Sequence, residues 1–210
     1  MNQDGWFKVV KKADDACLKP AVNALETQPL LSDSFNKTTL DKNWQIFGEC
    51  VPDKYTQTSG ELVITASGTK VDDCNPLTFI TGGHSYEISV KLTLNDAQTS
   101  AGLILQYNQN ISNGIAIEDR RPALYRLGRA LWRGQKLDSD EFWLKMINNN
   151  QYLSCYYSTD GASCKKISRV INLIPQNNNA YGGFLSLRPG LFAFGEGMVR
   201  FSNLCYNDLK

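Results

Sequence analysis

The chain has 210 residues, 42% of them hydrophobic and 20% charged, which is typical of a folded globular domain with a full core. The formal net charge of +1 disfavours a general polyanion binder, because phosphate affinity depends on concentrated positive charge. No apolar run approaches the length of a membrane span, and no signal-peptide pattern follows Met1. Because of the near-neutral charge and the lack of a long apolar run, neither a nucleic acid nor a membrane is an expected partner.

Residues 1–29 differ in composition from the rest of the chain. They carry Lys11-Lys12 and Asp14-Asp15, prolines at positions 20 and 29, and little period-two pattern. This stretch is predicted to be an extended leader or linker, partly docked on the domain that follows. Residues 30–210 are predicted to form that domain.

From about residue 30 the sequence predicts short β-strands. In "YEISVKLTL" (86–94), Ile88 and Val90 fall on one face and Glu87 and Ser89 on the other, as in a strand with one buried face. Further strands are predicted at 61–66, 102–107, 142–147, 152–157, 184–188 and 198–206. Gly, Asn, Asp or Pro clusters separate them at the spacing typical of an all-β, antiparallel sandwich of the jelly-roll type.

The segment "ALYRLGRALWRG" (123–134) also fits helical spacing, but Gly128 and the β-rich surroundings favour a hairpin. It belongs to a basic cluster that could contact nucleic acid, contact sugar, or form a solvated and partly ion-paired loop. Guanidinium donors and flat aromatic rings suit sugar hydroxyls and sugar faces. Trp132 is therefore a candidate sugar-binding residue. The cluster consists of Arg120, Arg121, Arg126, Arg129 and Arg133, with Tyr125 and Trp132 among them.

A second hairpin is predicted in "YYSTDGASCKKI" (156–167), where Ser158-Thr159-Asp160-Gly161 has the residues of a tight turn. A four-residue loop there places Cys155 directly opposite Cys164. Two interpretations remain open for this pair, a cross-strand disulfide and two facing buried thiols. No C-x-x-C pattern occurs among the six cysteines, which argues against a zinc ribbon.

Catalytic patterns are absent from the sequence. The E-x-D-x-x-E strand of sandwich glucanases does not occur, and Glu118 and Asp119 are adjacent, so they point to opposite faces of a strand. Residues 138–141 are predicted to form a solvated acidic loop. The single histidine, His84, precedes a strand and has no nucleophile motif near it. We therefore expect a chain that does not catalyse glycoside hydrolysis on its own.

An outward sheet face rich in aromatic residues is the strongest binding signal in the sequence. If Leu144 and Met146 face the core, Trp143 and Lys145 face outward. The same alternation directs several other aromatic and polar residues outward, and together they would form one platform for stacking on sugar rings. The alternative is that Trp143 or Phe184 lies under a covering loop. The candidate carbohydrate-binding residues are Gln106, Trp132, Trp143, Tyr156, Phe184 and Arg188.

Several stretches resemble, in their order, the concanavalin A-like C-terminal domain of family 43 glycoside hydrolases, the β-xylosidase and arabinofuranosidase group. They are "LSDSFNKTTLDKNWQIFG", "SYEISVKLT", "AGLILQYN", "YYSTDGASCKKI" and "VRFSNLCY", spanning about residues 30–206. The leader "QDGWFKVV" also resembles the end of the family's catalytic propeller or its linker. The family usually has Trp where Cys164 stands, so two bulky core residues here look exchanged for thiols.

The resemblance implies a β-sandwich accessory domain whose catalytic carboxylates reside in a separate propeller. In some members such a domain binds xylan, and in others it completes the catalytic pocket as a lid. The leading hypothesis is a non-catalytic module for xylan, xylo-oligosaccharides or related plant cell-wall β-glycans, acting outside the cell or in the periplasm. No cofactor is expected to be required. Structural Ca²⁺ is common in sugar-binding sandwiches, and Asp33 is its candidate ligand, although no carboxylate cluster accompanies it.

Overall fold

The computed structural model describes residues 31–176, 180–181 and 186–209. The chain divides into two units, Met1–Leu30 and Leu31–Lys210. The predicted leader at 1–29 lies outside the described residues, so it stays a prediction. The first two residues of the strand predicted at 184–188, including the candidate Phe184, also lie outside them.

The described part of Leu31–Lys210 consists of short strands and two 3₁₀ helices, Val71–Asp73 and Ile174–Gln176. In chain order the strands are β1 (Gln45–Ile46), β2 (Tyr55–Thr58), β3 (Glu61–Thr65), β4 (Leu77–Thr78), β5 (Tyr86–Leu94), β6 (Thr99–Asn108), β7 (Ile111–Glu118), β8 (Arg121–Arg126), β9 (Arg129–Arg133), β10 (Glu141–Asn149), β11 (Tyr152–Ser158), β12 (Lys165–Lys166), β13 (Ile171–Asn172), β14 (Arg188–Gly195) and β15 (Met198–Asp208).

The described strands form two antiparallel sheets, which confirms the predicted β-sandwich. The seven-stranded sheet has the order β1-β4-β14-β6-β7-β8-β9. The eight-stranded sheet has the order β12-β11-β10-β5-β15-β3-β2, with β13 paired to β11. Inward side chains of both sheets form one main core, which includes Leu62, Ile88, Leu103, Leu144, Leu191 and Phe201. Each such side chain contributes about 1.5–3 kcal/mol when fully buried.

Strand alternation follows the sequence prediction closely in β5 and β10. Every second residue of β5 from Tyr86 to Leu94 is buried, and the residues between them are half-buried. In β10, Leu144 and Met146 lie in the core, whereas Trp143 and Lys145 point away from it. The outward direction predicted for Trp143 is therefore confirmed.

The ambiguous segment at 123–134 forms a hairpin of β8 and β9, as predicted. Its turn residues Leu127 and Gly128 both have positive φ, 51° and 72°, the conformation of a two-residue primed turn. Arg126 and Arg129 close the turn as a directly opposed pair.

A loop of residues 66–76, here called the covering loop, lies on the outer face of the seven-stranded sheet. Its Val71 and Cys74 pack against Ile104, Tyr125 and Phe192 in a second, smaller apolar cluster. A buried lysine holds the two ends of this loop together. Lys54 Nζ donates a hydrogen bond to Ser67 Oγ at 2.6 Å and another to the backbone carbonyl of Cys74.

Candidate functional site

The outer face of the eight-stranded sheet carries two of the predicted binding residues, Trp143 and Tyr156. Both rings lie among lysine side chains: Lys91 Nζ is 5.1 Å from the Trp143 ring centroid, and Lys145 Nζ is 5.1 Å from that of Tyr156. Lys166 Nζ approaches the Tyr156 ring at 5.7 Å. Cation–π contacts of this kind hold exposed rings in place.

The neighbours of Trp143 leave its ring little free surface for stacking. Lys91 is its partner on β5, and on the β11 side Gly161 lies so close that a Cβ there would meet Trp143 Cε2 at 2.9 Å. Lys91 also forms an ion pair with Glu141 at 2.7 Å. This face is therefore already ordered by contacts among its own residues.

The other two described platform residues, Gln106 and Arg188, lie on the opposite side of the molecule. Gln106 is in β6 and Arg188 in β14, and the two are directly opposed in the seven-stranded sheet. The single platform expected from the sequence is therefore wrong. Alternation correctly directs all four residues away from the core, but they divide between two outer faces that point in opposite directions.

Gln106 and Arg188 belong to a polar row that continues to Ser112 on β7. Each side chain has a buried atom without a hydrogen-bond partner among the described residues: Gln106 Oε1, Arg188 Nε and Ser112 Oγ. Arg188 Nη1 donates to Gln45 Oε1 at 2.9 Å. Gln106 is only 1% exposed. It points outward as predicted, yet it is buried.

The remaining candidates have structural contacts. Trp132, the sugar-binding candidate of the basic cluster, is opposite Leu124 and packs, partly buried, against the main core. Asp33 Oδ2 accepts a hydrogen bond from Trp44 Nε1 at 2.9 Å, and Oδ1 accepts one from the Phe35 amide at 2.8 Å. The described residues contain no group of three or more His, Cys, Asp or Glu side chains that could hold a metal ion. The calcium role of Asp33 therefore stays a prediction, and its carboxylate has structural hydrogen bonds in the described part of the chain.

The register predicted for the 156–167 hairpin is wrong. Tyr156 is opposite Lys166, and the amide of Ile167 donates to the carbonyl of Cys155 at 2.9 Å, so Cys155 is opposite Ile167 rather than Cys164. Cys155 is buried, Cys164 is exposed, and both thiols are free. Neither the disulfide nor the pair of facing thiols is present.

A cleft of about 340 Å³ opens at the end of the sandwich where β5 begins and β10 ends. Strands β5 and β10 of the eight-stranded sheet, the segments before β5 and β14, and the 3₁₀ helix Ile174–Gln176 contribute to its walls, which bring together residues far apart in sequence. Tyr86 and Asn148, two buried residues of its lining, are directly opposed in β5 and β10. The lining residues are Thr81, Gly82, Gly83, His84, Tyr86, Asn148, Gln151, Gln176, Ser186 and Leu187.

Two amide side chains of the cleft retain unused hydrogen-bonding capacity. Asn148 Oδ1 and Gln151 Oε1 are buried and have no partner among the described residues. Asn148 is 5% exposed and reaches the hydroxyl of Tyr86. Burial raises the pKa of Tyr86 to about 12, an effect that hydrogen bonds to Asn148 and Thr81 only partly offset. Tyr86 is therefore a neutral hydroxyl at physiological pH.

Gln151 occupies a backbone conformation that usually belongs to glycine. Asn150 and Gln151 form the turn between β10 and β11, with φ values of 47° and 70°. Asn-Gly is the favoured sequence for such a turn, and a side chain at the second position costs about 1 kcal/mol. A strained residue whose side chain also carries an unpartnered buried acceptor in a cleft indicates a binding role.

Sequence reasoning missed Tyr86, Asn148, Gln151 and Gln176 as site residues. One signal was present: Asn148 continues the core-facing phase of Phe142, Leu144 and Met146 in β10, so an amide stands where an apolar residue is expected. Asn113 shows the same signal in β7, and its side chain donates to Gln176 Oε1 at 2.5 Å.

The described carboxylates considered for catalysis form structural contacts instead of a pair across a cleft. Glu118 accepts from Arg133 Nε at 2.7 Å and from the Tyr125 hydroxyl. Asp119 pairs with Lys136 at 2.6 Å, and Asp140 pairs with Arg120. His84 is an exposed residue at the rim of the end cleft.

The sequence matches, over residues 32–207, the family described as the beta xylosidase C-terminal concanavalin A-like domain. The chain belongs to this family. The match covers both sheets of the sandwich and confirms the resemblance to family 43 glycoside hydrolases. A comparison with curated protein sequences found no match. No helix among the described residues is long and apolar enough to cross a membrane.

Solved structures with the same fold include two larger bacterial proteins. The family 43 protein BlXynB of Bacillus licheniformis superposes with a TM-score of 0.74 at 19% identity, covering 85% of this chain and 39% of its own. A xylan beta-1,4-xylosidase of Bacillus halodurans gives 0.72 at 13%, covering 84% and 39%. This chain therefore spans about 39% of each.

A protein of unknown function from Saccharomyces cerevisiae superposes with a TM-score of 0.53 at 14% identity. That match covers 80% of this chain and 96% of the yeast chain. The same sandwich fold thus occurs both as a part of larger proteins and as nearly a whole chain. At these identities the likeness concerns the fold alone.

Proposed function

We propose that this domain is a non-catalytic carbohydrate-binding module for xylan-class β-glycans, and that it binds them at the end cleft. The observation that carries the proposal is the pair of buried, unpartnered acceptors, Asn148 Oδ1 and Gln151 Oε1, in a cleft of about 340 Å³. Leaving a buried polar group unpaired costs about 1–3 kcal/mol, and a ligand that donates hydrogen bonds recovers this free energy.

Sugar hydroxyls match the chemistry of the cleft. They donate to amide oxygens and accept from amide nitrogens and from the Tyr86 hydroxyl. The cleft lies at the lower end of the volume range of small-molecule sites, which suits one sugar residue better than a long chain segment. Leu187 supplies an apolar wall for the C–H groups of the ring.

Family membership supports the glycan class. The xylosidase of Bacillus halodurans has this fold in 39% of its chain. By analogy, the proposed partner of this domain is a family 43 catalytic domain, and its proposed place of action is outside the cell or in the periplasm, where plant polysaccharides are degraded.

A second role suits the same cleft. A site for one sugar residue could receive the end of a glycan held in the active site of a neighbouring catalytic domain. In that case the domain completes a family 43 active site and has no measurable affinity on its own. Binding by the chain alone distinguishes the two roles.

The test is affinity electrophoresis of the chain against soluble xylan and other β-glycans, with a reducing-sugar assay alongside. We expect retardation by xylan and no release of sugar. Asn148→Ala should weaken retardation about tenfold, whereas Asn149→Ala, its exposed neighbour on the same strand, should not. Sugar release abolished by changing one Asp or Glu would contradict the non-catalytic proposal.

Gln151→Gly is a more discriminating variant because the free energy of unfolding should rise while the affinity for xylan should fall. Glycine relieves the positive φ of the turn, so the free energy of unfolding should rise by about 1 kcal/mol. Loss of the Gln151 amide should weaken xylan binding. Weaker binding by a more stable protein cannot result from unfolding. If Trp143→Ala abolishes binding and Gln151→Gly leaves it unchanged, the glycan binds the aromatic face instead.

A further inference from the structure

Two guanidinium groups at the tip of the β8–β9 hairpin lack acidic partners within the described part of the chain. Arg126 and Arg129 are both exposed and directly opposed, and neither forms an ion pair with any described residue. The other arginines of the basic cluster are paired: Arg120 with Asp140, Arg121 with Asp119 at 3.7 Å, and Arg133 with Glu118 at 2.7 Å.

Like charges directly opposite one another destabilise a hairpin. The tight turn at Leu127 and Gly128 nevertheless holds Arg126 and Arg129 side by side. Between them lies an open depression of about 520 Å³, lined also by Leu127, Ala130 and Leu131. The two leucines are 37% and 41% exposed. The hairpin tip thus combines two fork-shaped donors with apolar surface.

This combination suits a ligand in which a carboxylate is attached to a sugar ring with an apolar C–H face. Guanidinium groups bind planar carboxylates through two parallel hydrogen bonds, and leucine side chains contact the C–H face of a sugar. An extended polyanion is less suitable because Asp72 lies beside the turn. A Cβ at Gly128 would be 2.5 Å from Asp72 Oδ1. The local positive charge is therefore enough for one carboxylate, not for a chain of phosphates.

The arginine pair is linked structurally to the end cleft. Asn113 is opposite Arg126, and its Oδ1 accepts a hydrogen bond from the Leu127 amide at 3.3 Å. The same side chain donates to Gln176, which lines the cleft. Directly opposed residues have Cα atoms about 5 Å apart, so Arg126 lies one residue pair away from the contact between Asn113 and Gln176.

We infer that the domain prefers glycans that carry uronic acid residues, and that Arg126 and Arg129 bind the carboxylate. This inference rests on the proposed function, since the neutral part of the glycan binds at the cleft. The pair supplies selectivity for the branch, while the cleft supplies affinity for the sugar chain.

The experiment compares glucuronic acid-substituted xylan with the same polysaccharide after chemical reduction of its carboxyl groups. We expect the full chain to bind the acidic form about tenfold more tightly at low ionic strength, with the difference shrinking as salt is added. The double variant Arg126→Ala/Arg129→Ala should bind both forms equally, with the affinity of the reduced xylan unchanged. The matched control Arg169→Ala/Arg200→Ala removes two exposed arginines elsewhere and should keep the preference.

Each other outcome contradicts the inference in a distinguishable way. Equal binding of the two xylans by the unaltered protein overturns the uronate preference but leaves the proposed function standing. Equal loss of the preference in the control variant shows a general charge effect. Tighter binding of heparin or single-stranded DNA than of acidic xylan shows a polyanion site. Failure to bind either xylan contradicts the proposed function as well.

Discussion

The Cys155 thiol is fully buried on the core face of β11, opposite Ile167, whereas Cys164 is exposed where the hairpin turn ends. The reason lies in Asp160. Its Oδ1 accepts hydrogen bonds from the amides of Ala162 and Ser163 at 2.9 and 2.7 Å. The carboxylate thus extends the turn beyond Gly161, and the returning strand pairs three residues later than a four-residue loop would require.

Cys155 and Cys164 should therefore differ in reactivity toward thiol reagents in the native protein. Burial raises the pKa of the Cys155 thiol far above its ordinary value and also excludes the reagent, while Cys164 is accessible. Labelling followed by peptide mass spectrometry should modify Cys164 within minutes and Cys155 only at the rate of unfolding. A disulfide between the two, or equal labelling rates, would show that the hairpin register is different.

At the scale of the strand, the sequence predicts which face of its sheet a side chain occupies, but not which strands pair with one another. The alternation in β10 correctly directs Trp143 outward, and the alternation in β6 correctly directs Gln106 outward. No local pattern states that β6 and β10 belong to different sheets, because sheet membership depends on pairing with strands distant in sequence. The expected single platform failed for that reason. The end cleft could not be predicted from local sequence patterns either, because its lining residues span positions 81 to 187.

The covering loop depends on one buried cation, Lys54. Burial lowers the pKa of this lysine, yet its ammonium still donates to Ser67 Oγ and the Cys74 carbonyl. Lys54→Met should leave those oxygens unpaired and lower the free energy of unfolding by about 2 kcal/mol. Urea unfolding measures this, and hydrogen exchange at Val71 and Cys74 should accelerate. Lys42→Met, an exposed control, should change neither.

For the whole molecule, several buried groups remain protonated at alkaline pH in the folded state. The free energy of unfolding therefore depends on pH in the alkaline range. Burial raises the pKa of Cys74 to about 12 and that of Tyr86 to about 12, and it raises the pKa of Cys155 as well. Below about pH 7.5 the thiols of Cys74 and Cys155 are protonated in both the folded and the unfolded chain. Above it the unfolded chain releases thiol protons that the folded chain retains, so stability falls as pH rises. Lys54, whose pKa is lowered by burial, opposes this trend.

The contribution of one thiol can be isolated by comparing two variants of the same hairpin. Each group that titrates only when unfolded contributes a slope of about 1.4 kcal/mol per pH unit. Between pH 9.5 and 10.5, Cys155→Ala should therefore lose stability less steeply than the unaltered protein by about that amount, although its stability at pH 7 is lower because of the cavity. Cys164→Ala, which removes an exposed thiol, should keep the original slope. Urea unfolding at several pH values measures these slopes. An unchanged slope in Cys155→Ala would mean that the Cys155 thiol ionises in the folded protein, and hence that the core face of β11 admits water.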